Sequence, residues 1–190
     1  MSGRDGAAWH PTGYRTHTLG EIRDQGADLV GEKITVCGYA ETVRGRGAIC
    51  FVMLRDGTGR LQAFLKRDSM DGASFDAIQS TPRESAISVT GTVAQKRPPK
   101  VPDGEEPPPP EYEVSATSAS ILSAAATPLP VGIVDDVNVG LDIRLDNRHL
   151  DLRRRHINAM FQLRSKVLEY GRQHLLMEGF LEINSPKIIA

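Results

Sequence analysis

Five short runs of alternating apolar and polar residues dominate the chain up to residue 122, and they constrain its fold more than any other feature. Alternation with a period of two places every second side chain on the same face of a strand. The sequence Asp-Gly-Thr-Gly at 56–59 separates the second run from the third and is typical of a hairpin turn. The predicted strands cover residues 33–42, 48–55, 60–66, 85–95 and 112–122.

Two short helices accompany these predicted strands. Apolar residues at helical spacing predict one helix over 18–29, ahead of the first strand, and another over 74–79, between the third and fourth strands. Three strands, a small helix and two further strands are the order of elements in a five-stranded Greek-key barrel, the OB-fold. We therefore expect an all-β OB-fold barrel over residues 18–123.

Three other segments have the composition of connecting chain. Residues 1–17 are polar and rich in glycine, which predicts a flexible N-terminal arm. The Pro-rich stretch 98–110 includes four consecutive prolines and predicts an exposed extended loop of unassigned role. Residues 124–143 are rich in Ala, Pro and Gly, which predicts a hinge before a second domain that begins at residue 144.

The second domain opens with a long predicted helix. From about residue 157 to Met177, apolar residues recur at helical spacing over a broad face. Gly179 is typical of the residue that ends a helix, and residues 180–183 predict a strand that Pro186 stops. The fold expected is thus an OB-fold barrel, a hinge, and the first helix-strand unit of an α+β domain.

The bulk composition excludes several classes of protein. A hydrophobic content of 39% and a charged content of 25% are those of an ordinary globular chain, and the net charge of −1 argues against a histone-like nucleic-acid binder. Cys37 and Cys50 lie in apolar runs without metal-ligand spacing, so we interpret both as core residues. No signal peptide and no membrane-spanning stretch of roughly 20 apolar residues is recognisable. A cytoplasmic location is expected.

One face of the predicted barrel has the residues of a single-stranded nucleic-acid site. Phe51 on an exposed strand face could stack on an unpaired base, and Gln62 on the next strand offers a donor and an acceptor for a base edge. Arg44 and Arg46 are predicted in the loop between the first two strands, a usual position for phosphate contacts. The alternative interpretation makes Phe51 a core residue and Gln62 a solvated strand residue.

The segment 51–62, Phe-Val-Met-Leu-Arg-Asp-Gly-Thr-Gly-Arg-Leu-Gln, resembles the F-x-x-L-R-D-x-x-G-x-x-Q sequence of aspartyl-tRNA synthetases. The resemblance implies that Phe51 stacks on the central anticodon base and that Gln62 hydrogen-bonds an anticodon base. It further implies that Arg44 contacts the anticodon stem-loop and that Glu113 lines the same site.

A second resemblance lies at 144–153, Arg-Leu-Asp-Asn-Arg-His-Leu-Asp-Leu-Arg. It is similar to the junction between hinge and catalytic domain in aspartyl-tRNA synthetases of the archaeal type, and asparaginyl enzymes carry a related phrase. By charge, Arg153, Arg154 and Arg155 are candidate contacts to the tRNA backbone. The alternative is a charged surface hairpin whose internal ion pairs contribute little.

The third resemblance is to motif 1 of class II synthetases, which implies that 144–190 is the start of the catalytic domain. Gly179, Phe180 and Pro186 match the motif, which in that family forms the homodimer interface. The 190 residues contain neither motif 2 nor motif 3, so we expect no catalytic residue, cofactor or metal in this part of the chain and no aminoacylation by it alone. ATP and Mg²⁺ are expected for the full-length enzyme.

Three interpretations follow. The favoured one is the N-terminal portion of an aspartate–tRNA ligase that recognises the anticodon of tRNA(Asp), and of tRNA(Asn) if both are charged. The second is the corresponding portion of an asparaginyl-tRNA synthetase, or of a related amide-forming enzyme derived from the same fold. The third is a stand-alone OB-fold module that binds tRNA or single-stranded nucleic acid without catalysis. No membrane partner is expected under any of them.

Overall fold

The computed structural model describes residues 14–98, 108–133 and 139–185. The N-terminal arm up to residue 13, the centre of the Pro-rich loop and Pro186 lie outside the described residues. The chain divides into two compact units, Met1–Thr127 and Pro128–Ala190.

The first unit is a closed five-stranded barrel, which confirms the OB-fold prediction. Its strands follow one another around the barrel in the order β1-β2-β3-β5-β4. Every neighbouring pair is antiparallel except β3 and β5, which run parallel. The strands are β1 (Lys33–Arg46), β2 (Ile49–Arg55), β3 (Arg60–Lys66), β4 (Ala86–Gln95) and β5 (Tyr112–Ser123).

The barrel interior is filled by the apolar positions that alternate along each strand. Helix α1 (Leu19–Leu29) and helix α2 (Gly72–Gln79) add buried side chains, because Leu19 and Ile22 of α1 and Phe75 of α2 are fully buried. At about 25 cal/mol for each Å² of apolar surface removed from water, this core is the main source of stability for the unit. The strand contribution to the core comes from Ile34, Val36, Val52, Leu54, Leu65, Ile87, Val89 and Val93.

The turn between β2 and β3 also holds the start of helix α1. The Asp56 carboxylate accepts hydrogen bonds from the backbone N–H of Thr58 (2.7 Å), of Gly59 (2.9 Å) and of Leu19 (3.1 Å). Thr58 Oγ1 accepts from the N–H of Gly20 at 2.8 Å. Since the first N–H groups of a helix have no partner within the helix, this turn satisfies two of them and fixes α1 to the barrel. The predicted hairpin turn is therefore also a helix clamp.

The sequence-based placement of Arg44 and Arg46 in a loop is wrong. Strand β1 continues to Arg46, which lies opposite Ile49 of β2, so both arginines are strand residues. The connection has only two residues, and Gly47 there adopts φ +60°. A two-residue hairpin needs positive φ at its first position, which glycine supplies without strain, so the ladder runs to the end of the strand.

The second unit consists of helices. Helix α3 (Leu141–Asp146) and helix α4 (Arg148–Asp151) replace the alternative of a charged hairpin, and helix α5 (Arg155–Met177) confirms the predicted long helix. Gly179 has φ +85°, its N–H donates to the carbonyl of Leu176, and the N–H of Phe180 donates to the carbonyl of Leu175. This pair of bonds is a Schellman motif, so glycine ends the helix as predicted.

The strand predicted over 180–183 is not formed. These residues have no ladder pairing, and Phe180, Leu181 and Ile183 are exposed. A strand is stabilised by hydrogen bonds to a neighbouring strand, and in the described part of the chain every strand belongs to the barrel. Apolar alternation here predicts strand propensity but supplies no pairing partner.

The two cysteines differ in environment. Cys50 is fully buried in the barrel core, as predicted, and burial raises the pKa of its thiol. Cys37 is half-buried, and its thiol donates to the carbonyl oxygen of Tyr14 at 3.1 Å. Both are free thiols, so the core interpretation is correct for Cys50 and wrong for Cys37.

Candidate nucleic-acid interface

The outer face of β1, β2, β3 and β5 carries its side chains in cross-strand rows, because the strands are paired in register. In the first row Thr42 lies opposite Met53, Met53 opposite Gln62, and Gln62 opposite Glu113. The row thus spans four strands, and Met53 brings an apolar and adaptable side chain between two polar ones. Two of the four residues, Gln62 and Glu113, are sequence-predicted site residues.

The second row is aromatic. Arg44 lies opposite Phe51, Phe51 opposite Phe64, and Phe64 opposite Ser115. The rings of Phe51 and Phe64 are stacked with their centroids 5.1 Å apart and an interplanar angle of 29°. Phe51 is 39% exposed, so it is not a core residue. A surface phenyl ring held by a second ring is a preorganised platform for stacking.

A concave pocket lies between these two rows. It has a volume of about 240 Å³ and is lined by Thr42, Arg44, Phe51, Met53 and Gln62. The fold therefore brings three sequence-predicted site residues, Arg44, Phe51 and Gln62, to one pocket. A cation, an aromatic ring and an amide in one concavity are the groups that bind a phosphate, stack on a base and pair with a base edge.

Glu113 joins the pocket through Gln62. The Gln62 side-chain Nε2 donates a hydrogen bond to the Glu113 carboxylate at 2.6 Å. Because an ionised carboxylate can only accept, the nitrogen of the amide must face Glu113, which fixes its orientation. Gln62 then presents its carbonyl oxygen and one remaining N–H to a ligand.

A third row lies at the end of the face. Arg46 is opposite Ile49, and Ile49 is opposite Lys66, whose ammonium is 5.5 Å from the centroid of the Phe64 ring. Arg44, Arg46 and Lys66 are all exposed. Among the residues that the structure describes, none of these three cations forms an ion pair with a carboxylate. This end of the face is accordingly positive.

Phe64 and Lys66 of β3 are among the residues of this face that sequence reasoning missed. Both have the parity of Gln62 on β3, and side chains two residues apart on a strand share a face. That parity was the available signal. Parity shows which residues of one strand share a side. It identifies a binding face only when the neighbouring strands and their register are known.

The arginines of the second unit have a different environment. The Asp151 carboxylate is fully buried and accepts hydrogen bonds from Arg144 Nε at 3.0 Å and Arg148 Nη1 at 3.2 Å, with Arg154 Nη1 at 3.6 Å. The hydrogen bonds from Arg144 and the positive charges of all three arginines hold the pKa of Asp151 below its usual range. The pKa of Arg144 is raised by the same hydrogen bonds. We call these four residues the Asp151 cluster.

Of the three arginines at 153–155 predicted to contact the tRNA backbone, one belongs to this cluster and two do not. Arg154 belongs to it and is only 7% exposed, so its geometry favours a structural role over a phosphate contact. Arg153 is half-buried and Arg155, the first residue of α5, is exposed. The assignment of Arg153 to the tRNA backbone stays a prediction.

Metal-ligand groups and membrane-spanning helices are both absent from the described residues. No three or more His, Cys, Asp or Glu side chains of this part of the chain are grouped as metal ligands. None of its helices combines the length and the apolar composition that crossing a bilayer requires.

A closed barrel of this topology, with an exposed aromatic ring, a half-buried amide and exposed cations on one face, defines an OB-fold protein of the nucleic-acid-binding class. The family model for the OB-fold nucleic acid binding domain matches residues 34–122, and that for tRNA synthetases class II (D, K and N) matches residues 140–190. The chain belongs to these class II tRNA synthetases and corresponds to the N-terminal part of an aspartyl-tRNA synthetase.

Individual relatives agree. The chain is 39% identical over 176 residues to an aspartate–tRNA(Asp/Asn) ligase of Methanosarcina barkeri, covering 93% of this chain and 37% of the relative. It is 39% identical over 160 residues to an aspartate–tRNA(Asp) ligase of Thermoplasma acidophilum, covering 84% and 35%. The solved aspartyl-tRNA synthetase of Entamoeba histolytica matches with a TM-score of 0.76 and 26% identity, over 100% of this chain and 43% of that one. This chain thus spans just over a third of the length of the curated relatives.

Proposed function

We propose that the outer face of the barrel reads the anticodon of tRNA. The observation that carries this proposal is the pocket in which exposed Phe51 lies beside Gln62 and Arg44. An anticodon loop presents unpaired bases, and stacking of one base on an aromatic ring contributes about 1–3 kcal/mol. Family membership supports the same use of this face.

Each residue of the pocket makes a different contact in this proposal. Phe51 stacks on the central anticodon base, and Phe64 holds the ring of Phe51 in place. Gln62 hydrogen-bonds a base edge with the carbonyl oxygen and N–H that the bond to Glu113 leaves available. Arg44 is at the Phe51 end of the pocket, where it contacts the phosphate backbone and contributes affinity but little sequence discrimination.

For the whole protein we propose aspartate–tRNA ligase activity: activation of aspartate with ATP and Mg²⁺ and transfer of the aspartyl group to tRNA. The support is that the Methanosarcina barkeri relative is an aspartate–tRNA(Asp/Asn) ligase and the Thermoplasma acidophilum relative an aspartate–tRNA(Asp) ligase. A cytoplasmic location is part of this proposal.

We also propose that the second unit takes part in a homodimer through motif 1. Gly179 and Phe180 end helix α5, whose apolar side chains Leu163, Val167 and Leu168 are exposed in the single chain. Exposed apolar surface of this kind is typical of an interface. The stand-alone module is less favoured for this reason. The asparaginyl alternative is less favoured because the curated relatives are aspartate ligases.

The experiment compares two tRNAs and four proteins. Binding of the 190-residue chain is measured by fluorescence anisotropy at near-physiological salt, with a tRNA that carries the aspartate anticodon and with the same tRNA altered at the central anticodon base. We expect tighter binding of the first tRNA, and about tenfold or more loss of that preference in Phe51→Ala. Phe51→Leu should lose nearly as much, because leucine retains apolar contact but no ring.

Ile121→Ala is the matched control. Ile121 is an exposed apolar residue of β5 with nearly the same exposure as Phe51, but it is absent from the pocket. Its substitution should leave binding of both tRNAs unchanged. Equal binding of both tRNAs by the unaltered chain would contradict anticodon reading and indicate a nonspecific nucleic-acid surface.

A further inference from the structure

The third row of the outer face has no role in the proposed anticodon contacts. Its apolar member, Ile49, is 39% exposed and lies between the exposed cations Arg46 and Lys66. A single exposed apolar side chain is common on protein surfaces and needs no explanation by itself. The distinctive feature of Ile49 is that a cation lies on either side of it. Apolar packing with positive charge on either side is suited to a nucleotide, whose base or ribose packs while its phosphate is neutralised.

The position of the third row relates it directly to Phe51. Ile49 is two residues before Phe51 on β2, so the two side chains lie on the same face, roughly 7 Å apart along the strand. The pairing between β3 and β5 extends only to Phe64, so the third row has three members and lies at the open margin of the face. The third row is therefore the neighbour of the aromatic row on this face.

Lys66 connects the third row with the aromatic row. Its ammonium lies 5.5 Å from the centroid of the Phe64 ring, a distance at which a cation is attracted to the ring face. The ammonium is therefore held beside the Phe51–Phe64 pair and not extended away from the face. In this position a single phosphate could approach both Lys66 and the base platform.

We propose that Arg46, Ile49 and Lys66 form a subsite for the nucleotide next to the one that stacks on Phe51. Ile49 packs against that nucleotide, and Arg46 and Lys66 contact its phosphate. This inference rests on the proposed function, because it takes the stacked base on Phe51 as its starting point. It extends the interface beyond the pocket to a neighbouring residue of the anticodon loop.

The test uses the 190-residue chain and an RNA stem-loop with the aspartate anticodon, in which one phosphate at a time is replaced by an uncharged methylphosphonate. One replacement next to the central base should weaken binding by the native chain severalfold. The same replacement should have no further effect on the variant Arg46→Gln/Lys66→Gln. Because that variant no longer neutralises this phosphate, its slope of log K against log salt should be lower by about 0.7.

Lys33→Gln is the matched control, because Lys33 is an exposed cation at the opposite end of β1 from Arg46. It should keep the native response to every methylphosphonate. Ile49→Ala should weaken binding severalfold and keep the native salt slope. The subsite is contradicted if the double variant responds to each methylphosphonate as the native chain does, or if Lys33→Gln loses the response to the same methylphosphonate as the double variant.

Failure of the proposed function has a separate signature. If anticodon reading is wrong, the native chain will not distinguish the stem-loop with the altered central base. If only the subsite is wrong, that distinction remains while the coupling between Lys66 and a phosphate is absent.

Discussion

The chain has two groups of arginines that look alike in sequence and differ in their surroundings. Arg44 and Arg46 on the barrel are exposed, and no described carboxylate pairs with them. Arg144, Arg148 and Arg154 surround the fully buried carboxylate of Asp151. An exposed cation without a partner remains available to a phosphate, whereas a cation committed to a buried carboxylate contributes to the fold. The position of a carboxylate thus separates a binding arginine from a structural one.

The largest effect predicted by this comparison is on stability. Asp151→Asn keeps the shape of the side chain but removes the charge that three arginines face, and breaking a buried ion pair from one side costs about 3 kcal/mol. Urea unfolding should show this loss in the second unit. Asp146→Asn, an exposed carboxylate of α3, is the control and should change the unfolding free energy by less than about 0.5 kcal/mol. Equal losses of stability in Asp151→Asn and Asp146→Asn would contradict the structural role of the arginines around Asp151.

Acid should reveal the same cluster. The folded-state pKa of Asp151 is lowered, first by its hydrogen bonds with Arg144. Its contribution to stability is therefore complete above the unfolded pKa of about 3.9 and is lost as pH falls through the lower folded pKa. Urea midpoints of the native chain should decrease more steeply than those of Asp151→Asn below about pH 4. Parallel pH profiles would show that Asp151 is not stabilised as an ion.

A smaller effect is expected at Glu113, which acts through Gln62. Glu113→Ala removes the acceptor that orients the Gln62 amide, and losing one such hydrogen bond costs about 1 kcal/mol, or roughly fivefold in affinity for tRNA. Glu111→Ala, which removes only an exposed ion pair with Lys96, should leave affinity nearly unchanged. If Glu113→Ala binds as tightly as the native chain, orientation of Gln62 by Glu113 does not contribute.

The smallest effect sharpens the comparison of arginines. Arg44→Gln should reduce the slope of log K against log salt for tRNA by about 0.7 to 0.9, because one phosphate is no longer neutralised, and should leave the unfolding free energy unchanged. Arg144→Gln should do the reverse, lowering stability while the salt slope stays the same. Salt titration and urea unfolding of the two variants measure both quantities. If Arg144→Gln changed the salt slope and Arg44→Gln did not, Arg144 would be the phosphate-binding arginine and the assignment of Arg44 would be wrong.

The barrel could be predicted from the sequence because each strand alternates its apolar residues and each turn has its own local signal, as at 56–59. The end of β1 could not be predicted, because the sequence at Arg44 and Gly45 is typical of a turn. In the structure, pairing with β2 continues beyond these two residues. The absence of a strand over 180–183 depends on a missing neighbour, which a local pattern does not contain.

The site divides in the same way. Phe51 and Gln62 have distinctive residue types and could be selected from a motif, whereas Phe64 and Lys66 gain meaning only from their register with β2. The buried position of Arg154 could not be foreseen although its partner Asp151 is only three residues away, because nothing in the sequence marks that carboxylate as buried. On the barrel face, contacts between strands are what sequence reading lacked.

The most direct test of anticodon reading by the barrel face maps the RNA contacts on the chain itself. NMR spectra of the labelled 20.7 kDa chain are recorded as an RNA stem-loop with the aspartate anticodon is added. The largest shifts should occur at Arg44, Phe51 and the side-chain amide of Gln62, while the signals of the Asp151 cluster remain unchanged. Shifts concentrated in the Asp151 cluster, with the Phe51 and Gln62 signals unmoved, would contradict the assignment of RNA recognition to the barrel.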